Sequence, residues 1–181
     1  LGIPASGATS TFVPAFDPKQ VLDVIEREHV TMTVMVPTMI GMLLAHPEFR
    51  PERLASLEVL SYGASPMPVA LLEKLLALFP GLDLYQGYGM TEAAALLTSL
   101  GPDEHRRGGP VLASAGRALL GVVLSIQDED GNVLAPGETG EVCARAGNLM
   151  RGYWNQPEAT AEAFRGGWYH TGDAGFLDDD G

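Results

Sequence analysis

The 181-residue chain has a single cysteine, Cys143, so no intramolecular disulfide can form, and a small cross-linked secreted scaffold is excluded. Cys143 sits between Val142 and Ala144 in an alternating apolar stretch, which predicts core packing rather than nucleophilic duty. Long apolar runs are also missing: none reaches the roughly 18 residues needed to span a bilayer, and no charged-then-apolar leader opens the chain. Together with the lone thiol, these absences lead to the expectation of a soluble, cytoplasmic protein. Basic residues are scarce, 11 against 23 acidic ones, for a formal charge of −12. That balance argues against a nucleic-acid face or an anionic membrane surface, both of which need a basic patch. A phosphate ligand must then be held by backbone amides, by a divalent metal, or by basic groups from elsewhere in a larger protein. Repeats and low-complexity tracts are absent as well. Leu1 stands where a complete chain would have methionine, and the last residues, Asp178-Asp179-Asp180-Gly181, look like a turn. An internal piece of a longer protein is therefore expected.

The most informative stretch present is Gly87-Tyr88-Gly89-Met90-Thr91-Glu92. Its two glycines permit positive φ and let backbone lie against a ligand, and Thr91 beside Glu92 pairs a hydroxyl with a carboxylate, a set suited to magnesium and phosphate oxygens. Tyr88 adds a flat face for a base. The plain alternative is a strand-exit loop with a solvated Glu.

Around it the chain alternates. Thr9 to Pro14 is rich in β-formers, and Asp17-Pro18 is a helix start with Val21, Leu22 and Ile25 at helical spacing. Thr31 to Val36 predicts a buried strand, Met39 to Leu44 a helix, and Leu57 to Ser61 a strand with the loop Gly63-Ala64-Ser65-Pro66 behind it. A helix from Pro68 to about Leu78 follows, with Leu71, Leu72, Leu75 and Leu76 on one face, and Leu82 to Gln86 is the strand that delivers the glycine loop. Such alternation predicts an α/β fold with a largely parallel sheet flanked by helices, and places both loops at the carboxyl edge of the strands, where ligands gather. Past Leu100 the texture changes at Gly101-Pro102 and the polar run from Asp103 to Pro110. Residues 1–110 are expected to form the α/β subdomain, with part of the ligand site. Residues 111–181 are expected to form a β-rich, distorted barrel-like subdomain. Its strands lie at Val122 to Gln127, Gly140 to Arg145 and Trp168 to His170, with a hairpin turn at Asp128 to Gly131 and a helix from Pro157 to Phe164.

Four elements occur in order: Gly63-Ala64-Ser65-Pro66; Tyr88 to Glu92; Gly137-Glu138-Thr139-Gly140-Glu141 leading to Arg151-Gly152-Tyr153-Trp154; and Tyr169-His170-Thr171-Gly172-Asp173. Together they resemble the adenylate-forming superfamily, and Asn155-Gln156-Pro157-Glu158-Ala159-Thr160 is most similar to its acyl-CoA synthetase branch. The resemblance implies activation of a carboxylate, a fatty acid as the expected class, by ATP to an acyl-adenylate, then transfer to coenzyme A. It implies that Thr91 contacts the phosphates, that Glu92 is the magnesium ligand, that Tyr88 packs on adenine, and that Asp173 holds the ribose hydroxyls of ATP or AMP. Gly63, Ala64 and Ser65 match the loop passing the nucleotide and acyl group, and Gly87, Gly89 and Met90 complete the nucleotide loop. A carboxylate accepts two hydrogen bonds from a cis-diol, and a hard metal takes oxygen ligands, so the residue types suit these roles.

The chain lacks the family's upstream phosphate loop with its lysine, and the downstream hinge, small domain and catalytic lysine. An inactive fragment that self-associates through uncovered surface is therefore expected. Ala93-Ala94-Ala95 stands where related ligases often carry glycine or serine followed by proline. An amino-acid adenylation domain, an aryl-CoA ligase and a noncatalytic nucleotide- or protein-binding module are the alternatives. His170 is expected to be structural, His29, His46 and His105 to be surface or capping residues, and Met32, Met35, Met39 and Met42 to be core, with an acyl-tunnel lining as their other use.

Overall fold

Residues 7–181 are described by a computed structural model, whose first regular element begins where a side chain caps it. Asp17 accepts a hydrogen bond from the Gln20 N–H at 2.8 Å, and Pro18 takes the first helical position, so α1 spans Pro18–Glu28. It ends at His29, which caps it in the left-handed conformation. Strand β1 (Met32–Met35) pairs in parallel with β2 (Val59–Gly63), Met32 opposite Val59 and Met35 opposite Tyr62. Between and after them lie α2 (Pro37–Ala45) and α3 (Val69–Leu78), and β3 covers Asp83–Tyr88. With β4 (Thr98–Leu100) and β5 (Arg117–Ala118), which pair antiparallel, these strands form a mixed five-stranded sheet in the order β1-β2-β3-β4-β5. A separate antiparallel sheet has the order β6 (Val122–Gln127), β7 (Gly140–Ala146), β8 (Tyr169–Gly175).

The chain divides into two units, one running up to Gln86 and including Gly101–Ser114, the other made of Gly87–Leu100 and Ala115–Gly181. In the first, Leu22 and Ile25 of α1, Leu60 and Tyr62 of β2, Leu72 and Leu75 of α3 and Leu84 of β3 form one buried core. On α3 the fully buried pair lies at i and i+3 with Leu71 and Leu76 packed beside it, as one apolar helical face requires. In the second unit, Ala93, Leu97 and Ala144 are fully buried, and Tyr88, Met90, Leu124 and Leu149 pack around them, so the glycine loop is anchored on the small sheet. Asp128 closes the β-turn after β6 by accepting from the N–H groups of Asp130 and Asn132. Helix α5, Pro157–Ala163, follows β7, and among the described residues no helix is long and apolar enough to cross a membrane.

Several expectations need correction. Thr9 to Pro14 is not a strand; Phe12 there is 86 % exposed, because β-propensity forms a strand only where a neighbour takes its backbone groups. Met32 and Met42 are exposed rather than core. Met32 alternates outward on an edge strand, and α2 is apolar around its whole circumference, so its sequence pattern does not select a buried face. The polar run after Gly101 contains a helix, α4, Pro102–Arg107. Asp103 and Glu104 lie in its first turn and Arg106 and Arg107 in its last, each matching the helix dipole.

His105 of α4 is 1 % exposed, not a surface residue. Its Nδ1–H donates to the Gly101 carbonyl at 2.6 Å, and its Nε2 accepts from the Tyr62 hydroxyl at 2.9 Å. Burial holds the imidazole below its ordinary pKa. The folded state therefore binds fewer protons than the unfolded one, and stability present above the ordinary imidazole value falls as pH drops through it. We expect the urea midpoint of this unit to fall between pH 7 and pH 5, about where a free imidazole titrates. His105→Asn should flatten that slope, and an unchanged slope would remove His105 as its source.

Candidate functional site

Strand β3 runs two residues further than expected and takes Gly87 and Tyr88 into its ladder. The chain then leaves through Gly89 and Met90 into a single 3-10 turn, Thr91–Ala93. Ala94 and Ala95 both have positive φ, 48° and 98°, an unfavourable conformation for alanine. Asn148 fastens this turn by donating from Nδ2 to the carbonyls of Ala93 at 2.6 Å and Leu96 at 3.1 Å, and Leu97 N–H returns to the Tyr88 carbonyl at 2.8 Å. Neither Gly87 nor Gly89 has the positive φ expected of it. Gly89 is required by a close approach of the chain to itself: a Cβ there would sit 2.7 Å from Leu96 Cα and inside the shell of the Ala95 carbonyl oxygen.

Strand β8 places Asp173 by an irregularity. Glu141 pairs with Ala174 and Cys143 with His170, so Val142 alone on β7 faces Thr171, Gly172 and Asp173 on β8. The Thr-Gly-Asp motif is thus a bulge in a strand and not a terminal turn, and it turns Asp173 out of the ladder. Gly172 takes φ 77° there. The Thr171 hydroxyl donates to the Val142 carbonyl at 2.8 Å and accepts from the Asp173 N–H at 3.1 Å.

Although 85 positions apart, Tyr88 and Asp173 meet, the Tyr88 hydroxyl donating to Asp173 Oδ2 at 2.7 Å. Burial, with the Asp173 carboxylate adding to it, pushes the Tyr88 phenol up to about 12, so it remains a donor. The bond fixes the ring and leaves the second oxygen of Asp173 available. Glu92 Oε1 accepts from the Tyr153 hydroxyl at 3.0 Å, and the Glu92 carbonyl accepts from Met150 N–H at 2.6 Å. That bond to Glu92 raises the Tyr153 pKa. Gly89, Met90, Glu92, Tyr153, Tyr169 and Asp173 line one open cleft of about 530 Å³ within the second unit.

Of the residues expected at the site, Gly89, Met90, Glu92 and Asp173 share this cleft, and Tyr88 is bonded to one of them. Thr91 is exposed at the head of the 3-10 turn, outside that lining. Gly63 ends β2 and Ala64 and Ser65 follow it, all in the first unit, with Ala64 at φ 64°. His170 is a half-buried strand residue, as expected, with hydrogen-bond partners in Glu141 and the Arg165 carbonyl. Cys143 is fully buried, and burial together with the Glu141 charge pushes its thiol up to about 11, which suits packing and not attack. The sequence reading missed Tyr153, Asn148 and Glu141. Tyr153 and Glu141 lie in quoted motifs, but their partners are remote in the chain.

The donor set suits the expected groups. Magnesium is usually held by one or two carboxylates together with substrate phosphates, and Glu92 offers one carboxylate that lines an open cleft and gives only Oε1 to the Tyr153 hydroxyl. Asp173 offers an unshared oxygen for a diol.

The AMP-binding enzyme family matches residues 1–154. A feruloyl-CoA synthase of Amycolatopsis sp is 40% identical over 175 residues, which cover 97% of this chain and 35% of that protein. A medium/long-chain-fatty-acid–CoA ligase, FadD8, of Mycobacterium tuberculosis is 39% identical over 176 residues, covering 97% of this chain and 30% of that protein. Among solved structures, the o-succinylbenzoate coenzyme A synthetase of Bacillus subtilis in complex with ATP and magnesium ion superposes with a TM-score of 0.82 at 35% identity, over 97% of this chain and 35% of that one. The chain spans about a third of the length of these relatives.

Proposed function

The chain belongs to the AMP-binding enzyme family, and from that premise we propose that the protein carrying it is an ATP-dependent acid–thiol ligase of the acyl-CoA synthetase type. In the first step a substrate carboxylate oxygen attacks the α-phosphorus of ATP and pyrophosphate leaves. In the second, a thiol attacks the acyl carbonyl and AMP leaves. The observation that carries the proposal is the Tyr88–Asp173 hydrogen bond in the second unit, Asp173 sharing a cleft with Glu92. It supports a nucleoside site in which the Tyr88 ring, held at its hydroxyl, is a fixed platform for adenine and the outer oxygen of Asp173 accepts from the ribose diol. In this reading Glu92 is the magnesium ligand and Thr91 a phosphate contact. A bound magnesium ion would neutralise phosphate charge, a need made sharper by the chain's net charge of −12. Gly63, Ala64 and Ser65 are proposed to pass the nucleotide and acyl group.

A fatty acid is the proposed substrate and coenzyme A the proposed acceptor. The name of the mycobacterial relative supports the first, and the names of both relatives support the second. A panel of fatty and aromatic carboxylates, assayed for acyl-CoA formation, decides the acid. The site is proposed to work in the cytoplasm, in keeping with a buried free thiol. Self-association of the chain is proposed through the edge strand β1, where Val34 is 70 % exposed beside Met32.

Asp173→Ala is the test of the nucleoside reading. It should weaken ATP and AMP to the same degree, since both carry the same ribose, by about 1.5 to 3 kcal/mol for each charge-assisted hydrogen bond lost. Calorimetry with each nucleotide measures it. AMP affinity equal to that of the unaltered protein would overturn the assignment.

A further inference from the structure

The bulge that presents Asp173 leaves backbone groups without ladder partners, and a single carboxylate on the neighbouring strand fills the gap. Glu141 Oε1 accepts from the Gly172 N–H at 3.0 Å. Its other oxygen, Oε2, accepts from His170 Nδ1 at 2.8 Å and from Arg165 Nη2 at 2.7 Å. Burial alone would push this carboxyl up, but the His170 bond, the Gly172 N–H and the facing charges together hold it below the usual carboxylate range. Arg165 in turn bonds Glu162 across a turn of chain, and His170 Nε2 meets the Arg165 carbonyl at 3.2 Å. The carboxylate is therefore fixed on both oxygens, with one of them on the residue immediately before Asp173.

We propose that Glu141 is the positioning residue for Asp173: by holding the Gly172 N–H at the β7–β8 bulge it sets the direction in which the Asp173 carboxylate enters the cleft. The proposal rests on the reading of Asp173 as the ribose contact. Asp173 is exposed; the Thr171 hydroxyl on its N–H is a local tie, and the Tyr88 hydroxyl holds Oδ2 rather than the Gly172 peptide that sets the side chain's direction. Without Glu141, Gly172 would have an unpaired N–H and a φ of 77° with no bond to hold it. The peptide would then turn, and the Asp173 side chain would leave the diol geometry.

The experiment is a double-mutant cycle in the protein that carries this chain, with Glu141→Gln, Asp173→Ala and both together, read by calorimetric affinity for ATP and AMP. Gln keeps the volume but presents a neutral amide to the Arg165 guanidinium and the His170 ring. Glu141→Asp is run beside it, because it keeps the charge while drawing the carboxylate away from Gly172, so that a folding failure of the Gln variant leaves a second arm. Circular dichroism identifies the folded variants. The expected result is a loss of about tenfold in affinity, equal for ATP and AMP, from either Glu141 variant, and less than about twofold further loss once Asp173 is alanine. A residue serving only the fold would add its loss in both backgrounds, and that outcome overturns the proposal. So does unchanged affinity in the Glu141 variants while Asp173→Ala weakens binding, a result that leaves the ribose reading standing. If Asp173→Ala itself changes nothing, the ribose reading fails and the proposal fails with it.

Discussion

Replacing Glu92 by Gln in the protein that carries this chain is expected to lower adenylate formation about 100-fold, near 3 kcal/mol of barrier, with little change in fold. The substitution preserves volume, and Gln still offers an oxygen to the Tyr153 hydroxyl, which lies 3.0 Å from Glu92 Oε1. The Met150 N–H bond to the residue's carbonyl is also untouched, because it is made to backbone. What disappears is the negative charge, in a cleft proposed to gather a divalent cation and a triphosphate. Pyrophosphate exchange across a magnesium titration measures the effect. The loss should be greatest at low magnesium and partly recovered at high magnesium. Near-normal exchange at low magnesium would take Glu92 out of the metal-binding role.

Gly89→Ala is expected to destabilise the second unit by about 3 kcal/mol, the upper end of overpacking costs. The added Cβ would meet the Ala95 carbonyl and Leu96 Cα, both main-chain atoms that no rotamer change can move. Relief would require Ala94 and Ala95 to shift, but these residues already have positive φ, and the Asn148 amide holds the carbonyls on either side of them. The clash is thus transmitted to the turn that carries Glu92. Urea unfolding followed by the fluorescence of Trp154 and Trp168, both in this unit, measures it. A midpoint equal to that of the unaltered chain would show that the strand and turn can part at little cost.

The sequence by itself determined the elements whose causes are local. Asp17 and Pro18 start α1, the leucines of α3 repeat at helical spacing, and Val122 to Gln127 forms β6 as its β-branched pattern predicts. The ordered motifs likewise disclosed the family and named Glu92 and Asp173, which do share a cleft. Tertiary structure decided what depends on partners distant in the chain. Thr9 to Pro14 has the composition of a strand but not its pairing, and α4 is recognised as part of the core only once Tyr62, 43 positions away, meets His105. Gly89 was legible as a glycine that matters, but the reason, contact with Ala95 and Leu96, follows from the return of the chain. Asp173 was legible as a carboxylate after a Thr-Gly pair. Its direction depends on one residue of β7 facing three of β8, and on the Glu141 carboxylate that closes the gap. Capping, helical period and motif order act over a few residues and are written in the sequence. Strand register and close packing are set by the pairing of remote segments, so only the folded chain fixes them.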